Sequence, residues 1–412
     1  MSIQFRHATL PNGMNVIAEI IPGAHTAAIG FFVKTGARDE AHNVMGVSHF
    51  LEHMMFKGTA TRTATDVDKQ FDALGADHNA FTSSEMTAFY AHCLPEHLPR
   101  AEEILSDIMR PALRQDDFDA EKNVILEEIA MYQDNPFWVL YEKAMEEYYG
   151  EHPLSHRVLG TPETIQNLSR DQMLDYFENR YSADNTVVSL TGALDFDAMV
   201  DRLSQHCAAW RTTNPRRAHP ALANGHAPAN EFTMRLPSVN RHYMLMIAPA
   251  PAQTDDRRYA ASMLAQIMGE PEGSRLYWSL VDPGLAEEAQ AQYDGRDGLG
   301  ETLLYASCTP KDAEEVQSVI HREIASLKDS LTQDDLDRVR AKVATGATLQ
   351  GELPAGRMRR LGRVWMYWGT YRSLEDELAR INAVTLRDLK DVADAYPLTP
   401  RVVGHLTPDE PS

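Results

Sequence analysis

Two histidines and a glutamate sit in a stretch otherwise apolar enough to be buried. Gly46-Val-Ser-His-Phe-Leu-Glu-His-Met-Met-Phe-Lys-Gly-Thr59 sets His49, Glu52 and His53 among Phe50, Leu51, Met54, Met55 and Phe56. On a helix, residues four apart project from one face within about 40° of each other, so His49 and His53 can share one metal ion. Glu52 projects beside them. Two neutral imidazoles with a flanking carboxylate suit zinc hydrolysis: the nitrogens hold the ion and the carboxylate takes a proton from water. With 16 His in 412 residues, composition alone yields this triplet about 0.05 times per chain of this kind.

Two ligands leave such a site incomplete, and a carboxylate on another helix is the natural third. The segment from Asp117 to Tyr132 has apolar residues at Val124, Ile125, Ile129 and Tyr132, a helical spacing. Glu121 and Glu128 lie seven apart on it, hence on one face, and either can reach the metal.

The elements that must position these groups read as follows. Short β-type runs at Val16 to Ile21 and Ala27 to Val33, separated by Pro22-Gly23, suggest a hairpin feeding the metal helix. Helix follows from Ala64 to Leu74. Asn79 to Tyr90 reads as strand, turn, strand, with Asn79 an edge-strand residue open equally to a substrate peptide adding through main-chain hydrogen bonds and to solvent; Asn79 and Ala80 are the candidate substrate-binding residues. Helices are expected over Leu98 to Met109 and Phe118 to Tyr149, broken at Pro136, then from Thr161 or Pro162 through Tyr181, with a strand returning over Asn185 to Gly192.

Residues 211–230, with Pro215, Pro220 and Pro228, have little reason to pack and read as a linker between domains at 1–210 and 231–412. Beyond it the pattern repeats. Tyr90-Ala-His-Cys-Leu-Pro95 is echoed by Tyr305-Ala-Ser-Cys-Thr-Pro310, each entering a helix, and each copy is preceded by a hairpin-like β run and a buried helix. In the second copy Met263 to Ile267 contains no His or Glu, so one half at most carries the chemistry. Cys93 and Cys308 fall at equivalent positions and read as strand-packing residues.

A net charge of −21 disfavours polyanions, and no basic stripe interleaved with aromatics points to nucleic acid. No run approaches the ~18 apolar residues that span a bilayer, and the N-terminus lacks the apolar centre of a signal peptide. Cytoplasmic residence without membrane attachment is the expectation. Three cysteines (Cys93, Cys207, Cys308) fit reduced thiols rather than a disulfide framework.

With His49-Phe-Leu-Glu-His53, Phe56-Lys-Gly-Thr59, a distal Glu128 and a duplicated domain, the sequence resembles the pitrilysin, or insulinase, family of zinc peptidases. It is most similar to the short-chain branch of the mitochondrial processing peptidases and their bacterial relatives. Leu10-Pro-Asn-Gly13, Gly75, Asn79-Ala80 with Thr82, Glu121 and Gly160-Thr-Pro-Glu163 also fit the family pattern. The resemblance implies Zn2+ as cofactor, His49, His53 and Glu128 as ligands, Glu52 as general base, and Glu121 orienting a ligand histidine. It further implies two similar α+β domains, each a mostly antiparallel sheet backed by helices, forming half of a clam-shell that admits unfolded peptide.

One segment departs from the family. Active members commonly place an Arg and a Tyr in a segment resembling Leu-Arg-Glu-x-x-Gly-Leu-Ala-Tyr, which binds the substrate carbonyl oxygen. Here Ser279-Leu-Val-Asp-Pro-Gly-Leu-Ala-Glu287 puts Val281 and Glu287 there. The expectation is therefore a heterodimer in which a homologous partner supplies that pair. The alternatives are a homodimer using Arg275, Tyr277 or Tyr293, and a noncatalytic structural or binding subunit of the same family.

Overall fold

The computed structural model describes residues 3–220 and 230–409, so residues 221–229 of the expected linker lie outside the described residues. The first half runs β1 (Gln4–Thr9), β2 (Asn15–Ile20), β3 (Ala27–Val33), α1 (Val47–Met55), α2 (Ala64–Ala73), β4 (Asp77–Thr82), β5 (Thr87–Cys93), α3 (Leu98–Ile108), α4 (Gln115–Gln133), α5 (Pro136–Tyr149), α6 (Pro162–Asn167), α7 (Arg170–Arg180), β6 (Thr186–Gly192) and α8 (Phe196–His206). The second runs β7 (Asn230–Arg235), β8 (His242–Pro249), α9 (Arg258–Gly269), a π-helical turn (Tyr277–Val281), β9 (Glu288–Gly295), β10 (Gly300–Cys308), α10 (Ala313–Ser330), α11 (Gln333–Gln350), α12 (Pro354–Trp368), α13 (Leu374–Ala383), α14 (Leu386–Ala395) and β11 (Val402–Thr407).

Two sheets result, ordered β1-β2-β6-β3-β5-β4 and β7-β11-β8-β10-β9. The last five strands of the first match those of the second in order and sense: β2 runs parallel to β6 as β7 does to β11, and the other pairs are antiparallel. The fold is α+β and duplicated, as the sequence echo implied. Cys93 and Cys308 close equivalent strands, both buried, and burial pushes each thiol up to about 11.

The strand, turn, strand expected over Asn79 to Tyr90 forms as β4 and β5, whereas the hairpins expected of β2 with β3 and of β7 with β8 do not. β6, buried along its whole length, inserts between β2 and β3, so β2 instead makes its hairpin with β1. That turn is tight: Leu10 N–H donates to Met14 O at 2.8 Å, and Gly13 takes φ +87°, the left-handed region open to glycine. In the second sheet β11 separates β7 from β8 in the same way. The helix expected from 162 to 181 is two helices, because Leu168 turns extended and Ser169 caps α7 through the Gln172 N–H.

The described chain packs as two compact units. One comprises Met1–Ile129, His156–Ala218 and Leu349–Arg372, the other Ala130–Ser155, His219–Thr348 and Ser373–Ser412. The first unit therefore includes α12 from late in the sequence. Met358 and Leu361 cover Ile17, Ala28 and Phe32 on one face of its sheet. Gly362 lets the helix approach so closely that a Cβ there would meet the Phe32 ring at 2.4 Å. A buried carboxylate fixes the docking: Glu19 accepts from Arg357 at 3.0 Å, Arg360 at 2.7 Å and Tyr371 at 3.1 Å. In the second unit α5 does the same on β8 and β11, with Leu140 and Ala144 against Leu245, Ile247 and Leu406.

The described start of the expected linker does pack, through charge rather than apolar area. The Arg217 side chain is buried and pairs with Asp39 at 2.7 Å, and Arg180 pairs with the same carboxylate at 2.7 Å.

Candidate metal centre

The candidate metal-site residues of the first unit ride on α1 and α4, packed by their apolar faces. Phe50, Leu51, Met54 and Met55 are almost fully buried, each contributing about 1.5–3 kcal/mol. Phe50 stacks on Phe118 of α4 with centroids 4.7 Å apart. α1 begins where Gly46 takes φ +94° against Leu159 and Gly160, a place with no room for a Cβ. Its first N–H groups are met by a buried acid: Glu40 accepts from Gly46 N at 2.7 Å and Ser48 N at 2.8 Å.

On the opposite faces the polar groups converge. Glu128 Oε2 lies 3.7 Å from His49 Nε2 and 3.7 Å from His53 Nε2, and one donor atom from each residue falls within 4.8 Å of the others. This is the one such His/Cys/Asp/Glu group among the described residues. Atoms held about 2.0–2.2 Å from a common zinc stand roughly 3.3–3.7 Å apart at angles near or above tetrahedral, so the donor set fits the ion. His53 Nδ1 contacts Glu121 Oε1 at 2.8 Å, which fixes a proton on Nδ1 and turns the Nε2 lone pair toward Glu128. Lys57 Nζ holds the other Glu121 oxygen at 2.6 Å. His49 Nδ1 is buried without a hydrogen-bond partner among the described residues.

Burial drives the electrostatics. Desolvation, aided by the neighbouring His53, pushes the His49 ring down to about 4, keeping it neutral. His53 moves the other way, because Glu121, Glu128 and Glu52 outweigh its own burial. Desolvation raises both Glu52 and Glu128, whereas at Glu121 burial is outweighed by His53 and Lys57 and the carboxyl is lowered. The constellation thus offers a neutral imidazole, a second with an oriented tautomer, a carboxylate across from both, and a flanking carboxylate of raised basicity.

Two family models match the chain: Insulinase (Peptidase family M16) over residues 15–162 and Peptidase M16 inactive domain over residues 167–343. An uncharacterized zinc protease of Mycobacterium tuberculosis is 32% identical over 94% of this chain and 90% of its own length. The chain belongs to peptidase family M16. Another relative, the uncharacterized zinc protease YmxG of Bacillus subtilis, is 28% identical over 93% of this chain and 94% of its own length. In fold, this M16 member matches the crystal structure of a protease from Helicobacter pylori with a TM-score of 0.92, at 22% identity over 99% of this chain and all of that one.

Of the residues singled out in the sequence, His49, His53, Glu128, Glu121 and Glu52 come together, while Asn79 and Ala80 lie on β4, the edge strand beside α1. There the Asn79 amide oxygen accepts from Ala80 N–H at 2.8 Å. Val281 ends the π-helical turn, and Glu287 pairs with Arg241. Sequence reasoning missed the roles of Glu40, which meets α1 from six and eight residues upstream through an irregular segment, and of Lys57, whose partner Glu121 is distant in the chain. It gave Thr82 no role beyond the family pattern; in the structure Thr82 Oγ1 donates to Glu52 Oε2 at 2.6 Å.

Proposed function

We propose that this chain, a zinc metallopeptidase with Zn2+ as its cofactor, is an endopeptidase acting on peptides or unfolded polypeptide segments. The supporting observation is the convergence of His49, His53 and Glu128 beside Glu52. His49, His53 and Glu128 hold the ion, and Glu121 orients His53. An ion held there would supply Lewis acidity toward a carbonyl oxygen and lower the pKa of water. Glu52 takes the proton of the attacking water and returns it to the leaving amine; its raised basicity suits a group that both accepts and donates near neutral pH. The substrate backbone adds to the free edge of β4 at Asn79 and Ala80, a bound carbonyl replacing the Asn79 amide oxygen on the Ala80 N–H. The catalytic role belongs to the portion 1–210, and the portion 231–412 is its noncatalytic repeat.

The carbonyl clamp comes from a second, homologous subunit. Val281 donates no hydrogen bond, and a glutamate at 287 repels developing negative charge; losing such donors costs about 3–4 kcal/mol in the barrier. Within the second unit two of the candidate substitutes are already engaged. Arg275 pairs with Asp335 at 2.7 Å, and Tyr293 OH donates to Pro251 O at 2.8 Å. That favours a heterodimer, with the chamber shared between two chains, over a homodimer.

The test is cleavage of a generic unfolded peptide by the zinc-loaded chain, alone and with a homologue that carries the Arg and Tyr. Turnover with the homologue, abolished by Glu52→Gln at unchanged zinc content, is the expected result. An active Glu52→Gln protein ends the assignment of the base. Absence of cleavage with every homologous partner returns the chain to the reading of a noncatalytic subunit, against which the intact His49, Glu52, His53 and Glu128 stand.

A further inference from the structure

Glu52 is a long side chain on a helix surface, with three rotatable bonds before its carboxylate. Among the described residues its one hydrogen bond comes from Thr82, whose Oγ1 donates to Oε2 at 2.6 Å. The donor is rigid. Thr82 is β-branched, half-buried and the last residue of β4, paired with Thr87 of β5. Just beyond it Ser83 N–H donates to Met86 O at 2.9 Å and closes the turn. That turn is tied down in its own right: Arg38 N–H donates to Ser84 O at 2.8 Å, and the Arg38 guanidinium pairs with Glu85 at 2.5 Å, both side chains buried. Strand alternation places His78 and Thr82 toward the helices, where His78 stacks on Phe71 at 4.1 Å, and sends Phe81 to the opposite face with the α12 contacts.

We infer that Thr82 is a positioning residue for peptide hydrolysis: its hydroxyl tethers Oε2 of Glu52, leaving Oε1 as the oxygen that takes and returns the proton. The inference rests on the reading of Glu52 as the general base. It adds that the base and the substrate backbone share one rigid support. A peptide on the edge of β4 lies along the strand whose end holds the carboxylate, so docking and base alignment are set together, where misplacement by 1 Å costs about 100-fold. The hydroxyl is spent on Glu52 and is not a contact to the peptide.

The experiment compares Thr82→Val, which keeps the shape and removes the donor, with Thr82→Ser, which keeps the donor, and Thr82→Ala in case the valine does not fold. In the wild-type background Thr82→Val is expected to lower kcat about tenfold, the equivalent of one charge-assisted hydrogen bond, with KM within about twofold and zinc content unchanged. Thr82→Ser retains at least about a third of kcat on the same reasoning. In the Glu52→Gln background Thr82→Val changes neither the residual rate nor peptide affinity measured by fluorescence anisotropy. A crystal structure of Thr82→Val shows the Glu52 carboxylate in more than one rotamer. Wild-type kcat in Thr82→Val, an equal loss in Thr82→Ser, weaker peptide binding in Glu52→Gln/Thr82→Val, or an unmoved Glu52 in the variant crystal each overturns the inference. Failure of the base assignment itself is separate, because it shows as turnover by Glu52→Gln alone.

Discussion

The two sheets share a strand order and differ in the helix that follows the third strand of the shared five. In the first unit α1 is buried on one side by Phe50, Leu51, Met54 and Met55 and carries His49, Glu52 and His53 on the other. In the second, α9 is buried almost throughout: Tyr259, Ala260, Ala261, Met263, Leu264, Ala265, Ile267 and Met268 all lie inside. The fold therefore does not need the polar groups to hold that helix; the apolar copy shows what the position is worth as packing alone. The polar copy costs stability, since each titratable group on it is desolvated, and Glu40, Glu121, Lys57 and Thr82 act as the local compensation.

That contrast breaks most visibly at the proposed metal ligands. Glu128→Gln is expected to lower activity at least about 1,000-fold and to release zinc in dialysis against a weak chelator, with metal content and turnover as readouts. The corresponding probe of α9, the apolar counterpart of α1, is Met263→Ala, which creates a cavity at a fully buried position. It should destabilise by about 2–5 kcal/mol in urea melts while zinc stoichiometry stays at that of wild type. A zinc loss in Met263→Ala would dissolve the separation between the packing copy and the chemical copy.

Smaller effects sharpen it. Glu121→Gln keeps the shape but replaces the charged acceptor at His53 Nδ1, and zinc affinity should weaken about 10- to 100-fold in competition with a chromophoric chelator. The zinc-free protein should also carry a pH signature. His49 has its pKa lowered from 6.5 to about 4 by burial and by His53, so between those values the unfolded chain binds the extra proton. Zinc-free stability therefore falls as pH drops from 6.5 toward 4, by up to about 3 kcal/mol. His53, shifted upward, works in the opposite sense, so the readout is the difference in slope between wild type and His49→Gln. The smallest expected difference is between the equivalent thiols: Cys93 and Cys308, both near 11 and buried, should resist a thiol reagent alike until denaturant is added.

Much of the candidate site, as a set of residues that come together, was legible because its signals are local. His49, Glu52 and His53 lie within five residues on one helix, and the seven-residue spacing of Glu121 and Glu128 is a property of α4 alone. Their separate placement, Glu121 on His53 and Lys57, Glu128 across from both imidazoles, depends on how the two helices cross, which periodicity does not encode. Helix and strand positions were legible for the same reason, down to the break at Pro136. Strand pairing was not. The Pro22-Gly23 turn signal is real as a turn, but the affinity of β2 and β3 for a fully buried strand from 166 residues after β2 decides their neighbours, and that preference is long-range. Arg217 misled composition-based reading in the same way, because its partner Asp39 is remote in the chain.

The placement of α12 has a consequence for biosynthesis. Among the described residues the first unit has a sheet face that no earlier segment covers as α12 does, and Glu19 waits in it for Arg357, Arg360 and Tyr371. A ribosome adding about 5–20 residues per second reaches those partners tens of seconds after β2 has emerged. During that interval the nascent chain exposes the apolar strip of Ile17, Ala28 and Phe32 beside an unpaired acid. Truncation between residues 129 and 356 should accordingly yield a polypeptide that depends on a holdase, even though every residue of the proposed zinc site is already present.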